Sequence, residues 1–332
     1  MKPTLAVDAG ATKTDIGLLQ LKENGWHTLS RKRFASREYV ALGELIEDFL
    51  NEAGTDISAA AIGVPGPVVD GCCTTTNLPW QIDAAYIAAQ LGISQVHLLN
   101  DLEAAAWGIG ALTSNEIVVL NEGNPRPGHR ALIAAGSGLG EAQLYWDGER
   151  HHPIASEGGH ADFAPRDEVE IDLLRYLQQR FGHHVSYERL LSGPGLVNIY
   201  DFLKDTGLEH EPARIGNRMR EVGDKAAVIS AAALDGDCPI CERGLDMFVS
   251  IYGAEAGNLS LKCLPVGGVY IGGGIAPKIL TKLLDDPFMH AFTDKGRFTS
   301  LLKDIPVYVI QSGETALQGA ASFARMCEAT GG

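Results

Sequence analysis

The chain opens on three apolar segments separated by turn signals, residues 4–8, 14–20 and about 27–33, and their spacing predicts a β-meander of three strands. The period then changes. From Ala41 to Leu50 the residues Leu42, Leu45, Ile46, Phe49 and Leu50 fall on one helical face. Ala59 to Val64 is apolar or small throughout and stops at Pro65-Gly66-Pro67, the pattern of a buried strand. A helix over Ile82 to Leu91, a strand over 95–99 and an alanine-rich helix after Asp101 complete an α/β unit with a largely parallel sheet. The connecting region from Thr113 to Arg130 carries the turn-rich run from Asn121 to Gly128, a plausible domain boundary. Strands near 131–136 and 141–147 flank another glycine turn, so the second half restates the opening of the first. That echo suggests two related lobes with a ligand cleft between them. Helices are expected over 167–181, 195–206, 224–235 and 239–261, a strand over 266–271, Pro277 early in the next helix, a strand over 307–310 and a terminal helix over 314–327.

Length and composition narrow the class. The 332 residues suffice for two domains, and 45% apolar with 21% charged residues is ordinary for a globular protein. A net charge of −15 opposes broad binding to nucleic acid or anionic membrane. The N-terminal apolar run breaks at Asp8, too early for a signal-peptide core, and no run of about 18 apolar residues follows, so a cytoplasmic protein is expected. The six cysteines then read as reduced thiols. Cys238-Pro-Ile-Cys241 has the spacing of half a zinc site, but nothing nearby completes four ligands, which favours packing or a helix start. His151-His152 and His183-His184 read as solvated loop residues.

The candidate chemistry begins at Asn100-Asp101, where a strand ends and a helix starts. A carboxylate there can take a proton from an alcohol substrate; Asn or Asp there also makes a plain helix cap. Three glycine-rich turns each follow a short apolar run: Asp8 to Thr14, Gly136 to Gly140, and Gly272-Gly273-Gly274. Such turns let backbone N–H groups approach an anion closely, as phosphate binding needs. Together with the carboxylate they suggest a phosphotransferase. Asp8 can reach a magnesium-bound phosphate through water, or bond the backbone of its own turn. Thr12 and Thr14 add hydroxyls. The first turn lacks the Walker spacing and the second lacks the dinucleotide fingerprint. Ser156 to Phe163 brings Glu157 and His160 together across a flexible Gly-Gly, which suits adjacent sugar hydroxyls or a surface turn. Glu188, taken alone, reads as an exposed helix residue.

These segments, in order, resemble the bacterial ATP-dependent glucokinase family, the hexokinases outside the ROK group, within the actin/hexokinase/Hsp70 ATPase superfamily. Asn100-Asp101, Gly136 to Gly140, Glu157 to Pro165, Glu188 to Leu196, Ile271 to Ile275, Asp294 to Phe298 and Ile305 to Val307 carry the resemblance, which covers nearly the whole chain. It implies an α/β, two-lobe ribonuclease H-like (actin-like ATPase) fold, with residues 1–112 plus 313–332 as the small domain and 113–312 as the large one. It implies transfer of the ATP γ-phosphate to the 6-hydroxyl of glucose, with Asp101 as the base. Asn100, Glu157, His160 and Glu188 would hold the other sugar hydroxyls, and Gly138 would assist through its backbone. Asp8, Gly10, Ala11, Thr12, Lys13 and Thr14 would grip the phosphates with Gly136, Ser137 and Gly138; Gly272, Gly273 and Gly274 would lie by the adenosine. Mg2+ would sit near Asp8, through water. A homodimer is expected by analogy.

The sequence departs from the family at its first turn, where Val7 and Ala11 replace glycines of Gly-Asp-x-Gly-Gly-Thr. Asp-Ala-Gly-Ala-Thr-Lys-Thr is also similar to N-acetylglucosamine kinases, which lack the Glu157 to Pro165 and Glu188 to Leu196 segments. The cysteine-rich zinc motif of the ROK branch is absent. Asn77-Leu78-Pro79-Trp80 resembles the family's Asn-x-x-Trp segment near the sugar, or a turn with a buried indole. The rivals are a kinase for another hexose or an amino sugar such as N-acetylglucosamine, and a non-catalytic sugar sensor; the sensor generally carries a helix-turn-helix, and this chain starts at its first strand.

Overall fold

The computed structural model describes residues 2–23, 25–75, 78 and 80–330, so Asn77 and Pro79 of the Asn-x-x-Trp segment lie outside the described residues. In chain order the elements are β1 (Thr4–Ala9), β2 (Lys13–Lys22), β3 (Gly25–Ala35), α1 (Leu42–Ala53), β4 (Ala59–Val64), β5 (Cys72–Thr74), β6 (Gln81–Asp83), α2 (Ala84–Leu91), β7 (Val96–Asn100) and α3 (Asp101–Gly108). There follow β8 (Ile117–Asn121), β9 (Arg130–Ala135), β10 (Leu139–Trp146), β11 (His151–Ala155), α4 (Glu168–Phe181), α5 (Gly193–Asp205), α6 (Ala213–Glu221), α7 (Lys225–Leu234) and α8 (Pro239–Cys263). The chain ends with β12 (Val269–Gly272), α9 (Leu280–Leu283), α10 (Asp286–Thr293), α11 (Thr299–Lys303), β13 (Val307–Ile310) and α12 (Thr315–Thr330). Two compact units result: Met1–Ser114 with His151–Ala155 and Ser312–Gly332, and Asn115–Arg150 with Ser156–Gln311.

In the first unit the sheet runs β3-β2-β1-β4-β7. The meander β1-β2-β3 is antiparallel, whereas β4 and then β7 add in parallel to β1. Alternation within β4 explains its continuous apolar character. Ala60, Ile62 and Val64 enter a core with Leu45, Ile46 and Phe49 of α1, while Ala59 and Ala61 enter another with Leu317, Ala320, Ala321 and Ala324 of α12. A central parallel strand covered on both faces needs no polar side. Trp80 is buried and its indole N–H donates to the Tyr39 carbonyl at 3.0 Å, so its packing role is met within this unit.

In the second unit the strands follow β10-β9-β12-β13-β8. β9 and β10 form an antiparallel hairpin, β12 adds in parallel to β9, β13 in parallel to β12, and β8 antiparallel to β13. The order β10-β9-β12-β13 repeats the order β2-β1-β4-β7 of the first unit. The core is mostly helical: α8 contributes Leu245, Phe248, Val249 and Tyr252, met by Phe288 and Phe292 of α10 and by Ile199, Phe202 and Leu203 of α5. Several local expectations are corrected. The connecting region holds β8, and His151 and His152 lie in strand β11, beside α3, instead of a loop. β6 takes Ile82 and Asp83 from the expected start of α2, because Gln81–Asp83 pairs with Cys72–Thr74 and Asp83 then caps the helix through the Ala85 and Tyr86 amides.

Candidate active site

Parallel pairing fixes the edge of the first unit on which the chemistry would stand. Asp8 is in register with Gly63, and Gly63 with Leu99, so the ends of β1, β4 and β7 bring Asp8 and Asn100-Asp101 to one side of the sheet. Ligands in open α/β sheets bind outside the carboxyl ends of such strands. Asn100 is the N-cap of α3: its Oδ1 accepts from the Leu102 amide at 3.0 Å and the Glu103 amide at 3.3 Å. The Glu103 carboxyl accepts from the Asn100 amide in return, which completes a reciprocal capping pair. Asp101 is half-buried, and its Oδ1 accepts from the Leu102 amide at 2.8 Å. The cap reading is met by Asn100, which spends its oxygen on the cap and retains its NH2 group. Burial, then the charges of Asp101 and Asp15, push the Asp8 carboxyl up to about 7, against the pull of Arg33 and Arg31.

The first glycine turn is braced from below. The Gly10 amide donates to the Lys13 carbonyl at 3.1 Å, the Ser36 hydroxyl donates to the Gly10 carbonyl at 2.6 Å, and the Ser36 amide donates to the Thr12 carbonyl at 3.1 Å. Thr14 is buried, with its hydroxyl 2.9 Å from that of Ser36, so it serves the turn as structure. Thr12 and Lys13 are exposed. Ala11 has a negative φ, which any residue adopts, and Val7 is fully buried against the β-sheet core.

In the second unit the turn after β9 closes through the Gly136 amide, which donates to the Gly138 carbonyl at 2.8 Å. The first amide of α5, that of Gly193, donates to the Gly136 carbonyl at 2.9 Å. Gly272 ends β12 in register with Ala134, which places the Gly272–Gly274 turn on the same edge as Gly136. Gly273 requires its lack of a side chain, having φ +82° and a backbone pressed against Ala135.

Glu188 lies in a 3-10 turn, Tyr187–Arg189, not on an α-helix, and its carboxyl is turned back onto Gly138. Its Oε2 accepts from the Leu139 amide at 3.0 Å, and its Oε1 is 4.0 Å from His160 Nδ1. Gly138, His160 and Glu188 are thus neighbours; Glu157, exposed, stands one turn before His160, whose amide donates to the Glu157 carbonyl at 2.9 Å. The Gly158-Gly159 pair between them is packed, Gly159 being buried, because Glu141 and Leu139 approach it too closely for any side chain.

Comparison with known proteins decides the family. The family model described as Glucokinase matches residues 5–327. The chain belongs to the glucokinase family. It is 40% identical to the glucokinase of Nostoc punctiforme, over 96% of this chain and 97% of that one, and 39% identical to that of Synechocystis sp., over 96% of each. Among solved structures it resembles the glucokinase from an Antarctic psychrotroph, with TM-score 0.84 and 27% identity over 98% of this chain and 99% of that one. The fold is the actin-like ATPase fold, and the chain is an ATP-dependent hexokinase that phosphorylates glucose.

Against the glucokinase pattern, some supporting residues carry no signal in the sequence. Ser36 lies far along the chain from the turn it braces, and nothing in its neighbourhood marks it. The pairing of Glu188 with Gly138 likewise depends on how the 3-10 turn packs on β10. Among the described residues no group of three or more His, Cys, Asp or Glu side chains is arranged to hold a metal ion, and no helix is long and apolar enough to cross a membrane. Cys238 and Cys241 are buried at the start of α8 with their sulfurs 2.8 Å apart, which matches the helix-start reading.

Proposed function

We propose that this glucokinase moves the γ-phosphoryl group of Mg-ATP to the 6-hydroxyl of glucose with Asp101 as the general base. The sugar oxygen forms the new bond to phosphorus, its proton passes to the Asp101 carboxylate, and ADP leaves with the electrons of the broken bond. The observation that carries this reading is the carboxylate of Asp101 at the C-terminal edge of β1, β4 and β7, oriented by the Leu102 amide. Asn100 would offer its NH2 group to a sugar hydroxyl, and Glu157, His160 and Glu188 would hold the others, with the Gly138 backbone beside them. The turn at residues 10–14 and the turn at Gly136, Ser137 and Gly138 would face the phosphates, and Gly272 to Gly274 the adenosine.

Magnesium fits this site as a phosphate-bound ion. Asp8 stands among carboxylates whose repulsion a cation would relieve, and a single carboxylate acting through water is an ordinary share of a magnesium site filled mainly by substrate oxygens. When bound, the ion neutralises charge on the phosphates. The same reading takes the enzyme to be a cytoplasmic homodimer with domains at 1–112 plus 313–332 and 113–312.

The test is ADP release with Mg-ATP on glucose, mannose, fructose, glucosamine and N-acetylglucosamine, for the wild type and for Asp101→Asn. We expect turnover on glucose that falls about 10²–10⁴-fold in the variant, the ordinary range for loss of a positioned base, with glucose affinity kept within about tenfold. Near-normal turnover by Asp101→Asn would remove Asp101 from that role.

A further inference from the structure

Behind the two segments that carry His160 and Glu188 lie two carboxyl groups with no part in the proposed reaction. Glu141 on β10 is 2% exposed and Glu255 on α8 is 0% exposed. They face each other within hydrogen-bond reach, yet Oε1 of each is buried without a hydrogen-bond donor among the described residues. Two carboxylates in contact cannot both ionise without large cost, and neither can donate; one proton between them supplies the missing donor and removes one charge. The remaining negative charge has a partner of its own in Lys262, whose Nζ is 3.7 Å from Glu255 Oε1.

The pair is wired to both segments. On one side Glu141 presses directly on Gly158, and the Ser156 hydroxyl donates to the Glu141 carbonyl at 2.7 Å, which fixes the stretch bearing Glu157 and His160. On the other, Asn258 donates from one Nδ2 to Glu255 Oε2 at 2.8 Å and to the Tyr187 hydroxyl at 3.0 Å, and Tyr187 immediately precedes Glu188. We infer that Glu141 and Glu255 share one proton and thereby hold the His160 and Glu188 segments at the spacing glucose requires, as positioning residues for sugar binding. The inference rests on the assignment of those side chains to the sugar.

Loss of the shared proton places two like charges face to face in a dry interior, and the strand β10 and helix α8 that carry them are pushed apart. Burial, and after it the Glu255 charge, push the Glu141 carboxyl up to about 8, while Lys262 pulls it down. The other titratable groups facing the pair are Tyr187, Tyr252 and Cys263, which burial keeps neutral, and Lys295, which acts on Glu255 from further away. Glucose affinity therefore falls as the pH rises through the ionisation of the pair.

Calorimetric titration of glucose into the wild type and Glu141→Gln, from about pH 7 to about pH 9.5, reads this directly. Glutamine keeps the shape and donates an N–H to Glu255 at every pH. We expect the wild-type dissociation constant to rise about fivefold or more over that range, the lower end of ordinary coupling between sites, and that of Glu141→Gln to stay within about twofold. The difference infrared spectrum of the two proteins near neutral pH, without sugar, should show the carbonyl band of a protonated carboxylic acid in the wild type alone. Parallel titration curves, or no such band, overturn the inference. Should Glu141→Gln fail to fold, a pH-independent dissociation constant in the wild type overturns it equally. Unchanged glucose binding in Glu188→Gln would instead count against the sugar-site reading, because the sugar-free infrared band is indifferent to it.

Discussion

Single residues explain why the unusual first turn is compatible with the fold. Ala11 sits at a negative φ, so the methyl costs no backbone strain, and Val7 fills a core position where glycine would leave a void. Val7→Gly should lower stability by roughly 2–4 kcal/mol through the cavity and the more flexible unfolded chain, read by denaturant unfolding. Ala11→Gly should leave the KM for ATP within about twofold and lower stability by only about 0.4–1 kcal/mol, because its conformation is one that alanine adopts freely. Glu141 supplies a pH effect on stability with a definite sign. Its folded ionisation is raised, so the native state holds a proton that the unfolded chain releases at ordinary glutamate pH. The stability so contributed is full below that range and is lost as the pH rises toward about 8. Melting curves across that interval should fall less steeply for Glu141→Gln than for the wild type.

At the scale of elements, the junction of β7 and α3 carries a helix cap on the residue pair to which the proposed mechanism assigns the chemistry. Asn100 closes the helix with its oxygen, in a reciprocal pair with Glu103, while Asp101 follows as the first helical residue. Asn100→Ser keeps a capping oxygen and deletes the NH2 donor without adding a charge beside Asp101 and Asp8. Its melting temperature should match the wild type, stability staying within about 0.5 kcal/mol, whereas the KM for glucose should rise. A lower melting temperature with unchanged KM would reduce Asn100 to a cap. The strand-helix punctuation here was readable because a cap, an apolar run and a change of period coincide within a few residues. β8 is less legible because its short apolar run, Ile117 to Leu120, is followed at once by the turn-rich stretch from Asn121, and its place in the sheet comes from pairing with β13. The sequence around Glu188 reads as helical because apolar residues at helical spacing also suit a 3-10 turn packed through the buried Tyr187 and Leu190.

For the molecule as a whole, each unit presents the same strand scheme, an antiparallel hairpin followed by two parallel additions, and each places its glycine turns at the carboxyl ends of those strands. A glucokinase built this way should be stabilised by its own substrate. Glucose at about a hundredfold its dissociation constant should add about 2.7 kcal/mol to unfolding, seen as a raised melting temperature, while a sugar it does not bind should add nothing. Applied to the sugar panel, this readout reports binding even where turnover is lost.

The sequence by itself determined the elements whose signal is local, among them the meander, α1, β4, α8 and the strand-turn-strand repeats, and through its ordered motifs it determined the family. Hydrophobic period, caps and glycine turns are properties of neighbouring residues, so they survive in one dimension. Only the tertiary structure decided that Ser36 braces the turn at Gly10, that the Glu188 carboxyl folds back on Gly138 beside His160, and that Glu141 and Glu255 meet in the interior. Each of these contacts joins residues far apart in the chain, and their meeting is set by how strands and helices pack, which no local period records.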